Sequence, residues 1–330
     1  MKGSRIAVVV AATISLVGVV ARAALLGTTP LTVACGTVIT VTADSSGKTL
    51  TLDPSDPILV TPCPRDGIKI VNKGSNAPNQ FLTLDCQTNQ AAPITGTTGV
   101  GIMLDGLNLA AYNCYVHGFA IGLETNGDGA DIEDSQVENA TGDGFRIKSG
   151  VRITNPNLVG ITFTGNRAFD NGGWGFEMTA NAISGGSGSV FNCIADTNAK
   201  GGFRITGDGN SLSGSEAFNN GGPGFLIVSK SCCSGSEGQS FDTAVASSNK
   251  GPGIVYEARD DGSNCVGGTG PTCTGGTFFP AGFDTTPGGI SAADNGGSCP
   301  GGSLPYLLAE GVCPVVVGKP CSQSSLDNCP

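Results

Sequence analysis

The sequence predicts an all-β chain wound as a single-stranded parallel β-helix, and two observations carry that prediction. The first is composition: the 330 residues include Gly 53, with only 13% charged and 6% aromatic side chains. So much glycine without a three-residue period excludes collagen, and regular apolar spacing argues against disorder. Few good helix formers remain, which favours β structure with many turns. The second is a recurring text, seen in "RAFDNGGWGFEM", "IADTNAKGGFRI", "EAFNNGGPGFLIV" and "VASSNKGPGIVY". Aligned on Gly175, Gly202, Gly224 and Gly253, these share A-x-x-N-x-x-x-G-[FI]-x-[IMY] and recur every 22 to 29 residues, the range of stacked supersecondary units.

From the N-terminus, Lys2 and Arg5 precede the apolar run "IAVVVAATISLVGVV" at 6–20, and "ARA" at 21–23 supplies small residues for cleavage. Residues 1–23 therefore read as a secretory signal peptide. The apolar run is shorter than the roughly 20 residues of a spanning helix, so no stable membrane insertion is expected once it is removed. Cys35 lies too far past that run to be a lipidation site. Thirteen cysteines in an exported chain imply disulfides, and the odd count leaves at least one free or bonded to another molecule. Residues 24–66, with "TVITV", "TLTL" and "ILV", form the N-terminal cap and first coils.

Residues 67–262 form the repeats. Glycines interrupt every window long enough for an amphipathic helix, and each unit offers short alternating pieces such as Phe203-Arg204-Ile205. The alanines (168, 195, 217, 246) fit a tight interior position. The asparagines (171, 198, 220, 249) tolerate the left-handed backbone of a sharp corner, and their amides can bond to the same asparagine one coil on. Weaker copies stand at "GIKI" 67–70, "GIML" 101–104, "GFAI" 118–121 and "GFRI" 144–147. Beyond residue 262 the repeat fades, and 263–330 reads as a cysteine-rich, loop-rich C-terminal cap, with Cys265/Cys273 and Cys321/Cys329 as local pairing options.

The segment from Phe81 to Tyr256 resembles the right-handed parallel β-helix repeat proteins of the pectin-lyase-like superfamily. In particular it is similar to an exported bacterial set whose domain is described as carbohydrate-binding and sugar-hydrolysing. "FLTLDCQ" and "ITGTTGVGIML" within 81–104 are similar to that set's entry segment. The resemblance implies right-handed winding, a groove on one outer face, and a polysaccharide or cell-surface glycan as partner. It also implies calcium as a possible bridge to uronate groups. The repeat encodes a scaffold, and activity has to be argued from a site.

Outward slots between the apolar residues of each unit hold Lys69, Met103, Ala120, Arg146, Glu177, Arg204, Leu226 and Val255. Arg146, Glu177 and Arg204 are expected in one column, either as a stripe for an acidic sugar or as a surface ion-pair ladder. The stretch 124–150 is the richest in charge. Asp143, Arg146 and Lys148 are its candidates for catalysis, and Asp128, Asp131 and Asp134 for calcium. The alternative is solvated acidic surface. His117, the only histidine, and Trp174, the only tryptophan, join Glu177 and Arg204 as candidate sugar contacts. Trp174 aligns with Gly201, Pro223 and Pro252, a tolerance that predicts an exposed slot. "RIK" at 146–148 matches a polygalacturonase motif, but the paired aspartates and Gly-His-Gly of that family are missing.

The net charge of −10 argues against nucleic acid as a partner. Two functions follow as expectations. One is an exported protein that interacts with polysaccharide and cleaves it as a lyase or glycoside hydrolase. The other is a non-catalytic structural or adhesive surface protein.

Overall fold

The computed structural model describes residues 33–259, except 44, 54–60, 74–78, 89–91, 128, 148–161, 179–188, 207–210, 230–239 and 243, together with the strands 291–293 and 312–317. Residues 1–23, expected to be a signal peptide, and the expected cysteine pairs 265/273 and 321/329 lie outside the described residues.

Within them the chain is all-β. Short strands build three sheets, and every pairing is parallel. The first sheet runs through Thr37–Thr40, Ile68–Asn72, Val100–Gly106, Ile121–Thr125, Phe145–Ile147, Trp174–Met178, Gly201–Thr206, Phe225–Ser229, Ile254–Arg259 and Val312–Val317. The second contains Lys48–Thr51, Leu82–Asp85, Leu109–Tyr112, Asp131–Glu133, Thr162–Thr164, Ser189–Phe191, Ser211–Ser213 and Ser240–Asp242. The third contains Ile94–Thr95, Tyr115–His117, Gln136–Glu138, Arg167–Phe169, Ile194–Asp196, Glu216–Phe218, Val245–Ser247 and Ser291–Ala293. From Leu82–Asp85 to Ile254–Arg259 the chain visits the second, third and first sheet in turn, so strands that are neighbours in a sheet are one coil apart in sequence. This is a β-helix-like solenoid.

The repeat follows from what each position meets. The alanines pair in register, Ala168 with Ala195, Ala195 with Ala217 and Ala217 with Ala246, and all are buried. Their methyls lie against the repeat glycines. A Cβ on Gly175 would fall 2.8 Å from that of Ala195, and one on Gly202 would fall 2.8 Å from that of Ala217 and 2.5 Å from the carbonyl oxygen of Gly224. Glycine stands there because two backbones and a methyl fill the space. One position along, Phe145, Phe176, Phe203 and Phe225 stack face to face down the interior, with centroids 4.7, 4.7 and 4.9 Å apart. That spacing is the rise between strands themselves.

The asparagines form the expected file. Asn171 Nδ2 donates to Asn198 Oδ1 at 2.8 Å, Asn198 to Asn220 at 3.0 Å, and Asn220 to Asn249 at 2.8 Å. Each receiving oxygen also accepts the backbone N–H of the asparagine below it. The left-handed backbone, however, belongs to the residue before: Asp170, Thr197, Asn219 and Ser248 have φ of 51°, 57°, 52° and 56°. The amide column and the sharp bend are thus separate duties of adjacent residues. A buried amide must point inward to bond, whereas the bend is at the exposed corner.

Two further expectations change. Residues 118–121 are not a repeat strand: the strand is Ile121–Thr125, and Gly122 is the glycine in contact with the next coil, where a Cβ would fall 2.7 Å from the carbonyl of Gly144. Gly118, with φ 80°, makes the corner instead. The C-terminal region also does more than cap. Ser291–Ala293 pairs with Val245–Ser247, and Val312–Val317 pairs with Ile254–Arg259, so the region adds strands to two of the sheets.

Disulfides join successive coils near one end, Cys35 to Cys63 and Cys86 to Cys114, each across 28 residues. Bonded Cys35 has no thiol left for lipid. Cys193 is free and buried, and burial pushes its thiol up to about 12.

Candidate functional site

Strict alternation in the first sheet turns one side chain outward between two buried ones, as in Phe145-Arg146-Ile147 and Phe203-Arg204-Ile205. Because the strands are in register, these outward side chains form one column: Lys69, Met103, Glu124, Arg146, Glu177, Arg204, Leu226 and Val255. The sequence placed Ala120 in the third of these slots. The structure puts Glu124 there, since the contact glycine is Gly122 and the repeat lies four residues later than the "GFAI" spacing implies. That correction supplies the column's missing charge.

The column resolves into closed pairs. Arg146 donates through Nε to Glu124 Oε2 at 2.9 Å and adds a second bond through Nη2. Arg204 Nη1 donates to Glu177 Oε1. At the near end Lys69 and Lys73 both reach Asp105, at 2.7 and 2.6 Å. Burial alone would raise the Asp105 carboxyl, but the two ammonium groups and Asn126 hold it below the usual aspartate value.

Asp143 meets this column from the side. It stands on the corner before the strand of Arg146, is buried, and its Oδ1 accepts the backbone N–H of Trp174 at 2.9 Å. Asp66 does the same at the equivalent corner three coils earlier, accepting the N–H of Val100 at 2.8 Å, so this is a recurring way to hold the next coil. Burial, and then Asp143, raise Glu177 above the ordinary glutamate value, and Arg204 offsets part of the rise.

Trp174 is buried, contrary to the exposed slot that its variable equivalents suggested. Its ring covers Gly201 in the next coil, where a Cβ would fall 2.2 Å from the indole. A large side chain on one rung is accommodated by none on the next, so variability here reflects traded volume. Trp174 is a wall beside the column and presents no open stacking platform.

Asp143, Arg146, Glu177, Arg204 and Trp174 are therefore brought together. The remaining candidates are not. His117 lies on the outer face of the third sheet, beside Glu138 in register, with its Nε2 3.2 Å from Asn139 Nδ2. Asp131 faces outward from the second sheet and accepts the hydroxyl of Tyr112 at 2.9 Å. Asp134 makes the following corner, with φ 46°. Between them the carboxyl of Glu133 is raised by burial and then by the charges of both aspartates. No three metal-ligating side chains of the His, Cys, Asp and Glu types converge among the described residues. Asp128 and Lys148 lie outside the described residues.

Comparison with known proteins gives no match: no family model fits the sequence, and no curated protein or solved structure is significantly similar to it. What the site can do has to be read from its chemistry. Its arginines already hold carboxylates, Arg146 that of Glu124 and Arg204 that of Glu177.

Proposed function

We propose that the chain is an exported, right-handed parallel β-helix that adheres to polysaccharide through the outer face of its first sheet without cleaving it. The observation that carries this reading is the closure of the charged column: Glu124 with Arg146, Glu177 with Arg204, and Asp143 with the backbone N–H of Trp174. Charges satisfied by their neighbours make a rigid, ordered face, and they leave no unengaged acid and base to work on a bond. Right-handed winding is supported by the strong preference of parallel crossovers for that hand. Export is supported by the apolar leader, and an oxidising compartment by the two disulfides. Polysaccharide as the partner class rests on the resemblance of the repeat to pectin-lyase-like proteins.

The test is a panel of acidic and neutral insoluble polysaccharides, with and without added calcium. Retention of the protein is scored together with release of reducing ends and unsaturated products. Retention without release is expected, and release above that of a heat-denatured control contradicts the proposal. A second reading, a lyase or glycoside hydrolase, is favoured by one specific observation. Glu177 holds its proton above the usual range beside a second carboxyl, as a general acid must. On that reading product release is lost in Glu177→Gln.

A further inference from the structure

The outer face of the third sheet differs in kind from that of the first. Down one of its columns stand Glu138, Phe169, Asp196 and Phe218, paired in register and partly exposed. Phe169 therefore has a carboxylate on the rung below and another on the rung above. Both acids are aimed by neutral donors. The hydroxyl of Tyr115 donates to Glu138 Oε2, and Asn219 Nδ2, at the next bend, donates to Asp196 Oδ1 at 3.0 Å. Burial and then Glu138 raise the Tyr115 hydroxyl above its ordinary value, so the proton stays on the phenol and the charge on the carboxylate. Among the described residues neither Glu138 nor Asp196 is in an ion pair, whereas Asp105, Glu124 and Glu177 of the first sheet are each matched to lysine or arginine. Arg167 is exposed in the other column of the face, between Gln136 and Ile194 in register.

Oriented carboxylates that keep their charge, with aromatic rings between them, suit a cation laid over each ring. The spacing selects the chain that carries the cations. With rungs about 4.8 Å apart, Phe169 and Phe218 stand about 9.6 Å apart, two rungs on. A β-strand presents the same face every two residues, at about 6.7 Å, and falls out of step. A polyproline II chain presents it every three residues, at about 9.3 Å, and stays in step.

We propose that the outer face of the third sheet docks a proline-rich, basic peptide segment of another protein in the polyproline II conformation, with arginines three residues apart seated over Phe169 and Phe218. Such a segment is extended before it binds, so docking on a rigid sheet orders little. This face is distinct from the adhesive one and requires no polysaccharide, so either reading can fail alone.

The experiment titrates a fluorescent peptide of five Arg-Pro-Pro repeats with the intact chain and follows anisotropy. Saturable binding is expected, weakening as salt is raised. A peptide of Glu-Pro-Pro repeats should not bind. One of Arg-Gly-Ser repeats, equal in charge but flexible, should bind at least about fivefold more weakly. Glu138→Gln with Asp196→Asn keeps the shape of both side chains and should weaken the Arg-Pro-Pro peptide about tenfold. Phe169→Leu, which keeps apolar bulk without the ring, should weaken it about threefold. Asp131→Asn with Glu133→Gln removes two charges from the second sheet and should leave binding unchanged. Circular dichroism establishes that each variant is folded. Absence of saturable binding, equal binding of the flexible peptide, or binding that survives Glu138→Gln with Asp196→Asn overturns the proposal. Loss in the second-sheet variant overturns it too, and displacement of the peptide by soluble neutral polysaccharide assigns the face to a glycan instead.

Discussion

At the scale of single residues, adjacent positions on one corner have opposite energetics. Asn198 sits in the buried file, where its Oδ1 accepts both Nδ2 and N–H of Asn171 and its Nδ2 serves Ala168 and Asn220. Asn198→Ala orphans two buried donors on Asn171 alone. Each such group costs about 1–3 kcal/mol, so chemical denaturation should show a loss of about 2–5 kcal/mol. Thr197, one residue earlier, is a β-branched side chain at φ 57°. The left-handed region costs such a residue about 1–2 kcal/mol, so Thr197→Gly or Thr197→Asn should stabilise by up to about 1 kcal/mol. Opposite signs at neighbouring positions, measured by urea midpoint, check the division of labour between ladder and bend. The sequence could not make this division, because an A-x-x-N text says which residue recurs and not which one bends. Its identity at 171, 198, 220 and 249 nevertheless announced the file, since a buried amide bonded to its own copy admits no substitute of different shape.

At the scale of the coil, the legible and illegible parts of the sequence separate on packing grounds. The Ala, Gly and Phe positions were readable because each must fit the same contact on every rung. A Cβ at Gly202 has neither the Ala217 methyl nor the Gly224 carbonyl out of its way, and Phe203 is stacked on both sides. Phe203→Ala should cost about 3–5 kcal/mol by thermal or chemical unfolding, the range for a large aromatic removed from a core. Glu124 was misplaced by the same logic run backwards: "GFAI" copies the letters of a repeat strand, yet Gly118 is a corner and Gly122 makes the close contact. Trp174 was misjudged because the slot constrains the summed volume of two rungs and not the residue on either one. The charged column itself was visible from spacing alone. Its closure into pairs was not, since ion pairing depends on which rotamers meet across neighbouring strands.

At the scale of the molecule, a solenoid has no single long-range core contact, so its stability is a sum over neighbouring coils and its ends matter most. The two disulfides among the described residues lie in the first coils, each closing 28 residues. Loop-closure entropy makes each worth about 3 kcal/mol. Cys86→Ser with Cys114→Ser should therefore speed hydrogen exchange in the strands before Ile121–Thr125 and leave the Phe stack protected. Acid acts at the same end. The Asp105 carboxyl is held below the usual value, so the stability it contributes is in place above about 3.8 and is lost as the pH falls through its lowered folded value. Asp105→Asn should remove that part of the acid lability in a pH series of denaturation curves. Glu177 has the opposite sign: its folded value is raised, so it stabilises most under acid and loses that contribution as the pH rises.

The central claim is that each unit advances one rung along a single axis, and distances along the outward column test it most directly. Spin labels are placed through a bio-orthogonal side chain at Leu226 paired with Lys69, Met103 or Glu124. These pairs are six, five and four rungs apart in register. At about 4.8 Å per rung the account predicts backbone separations of about 29, 24 and 19 Å, falling by one rung at each step. Distances that do not shorten by that increment, or that are the same for all three pairs, contradict it.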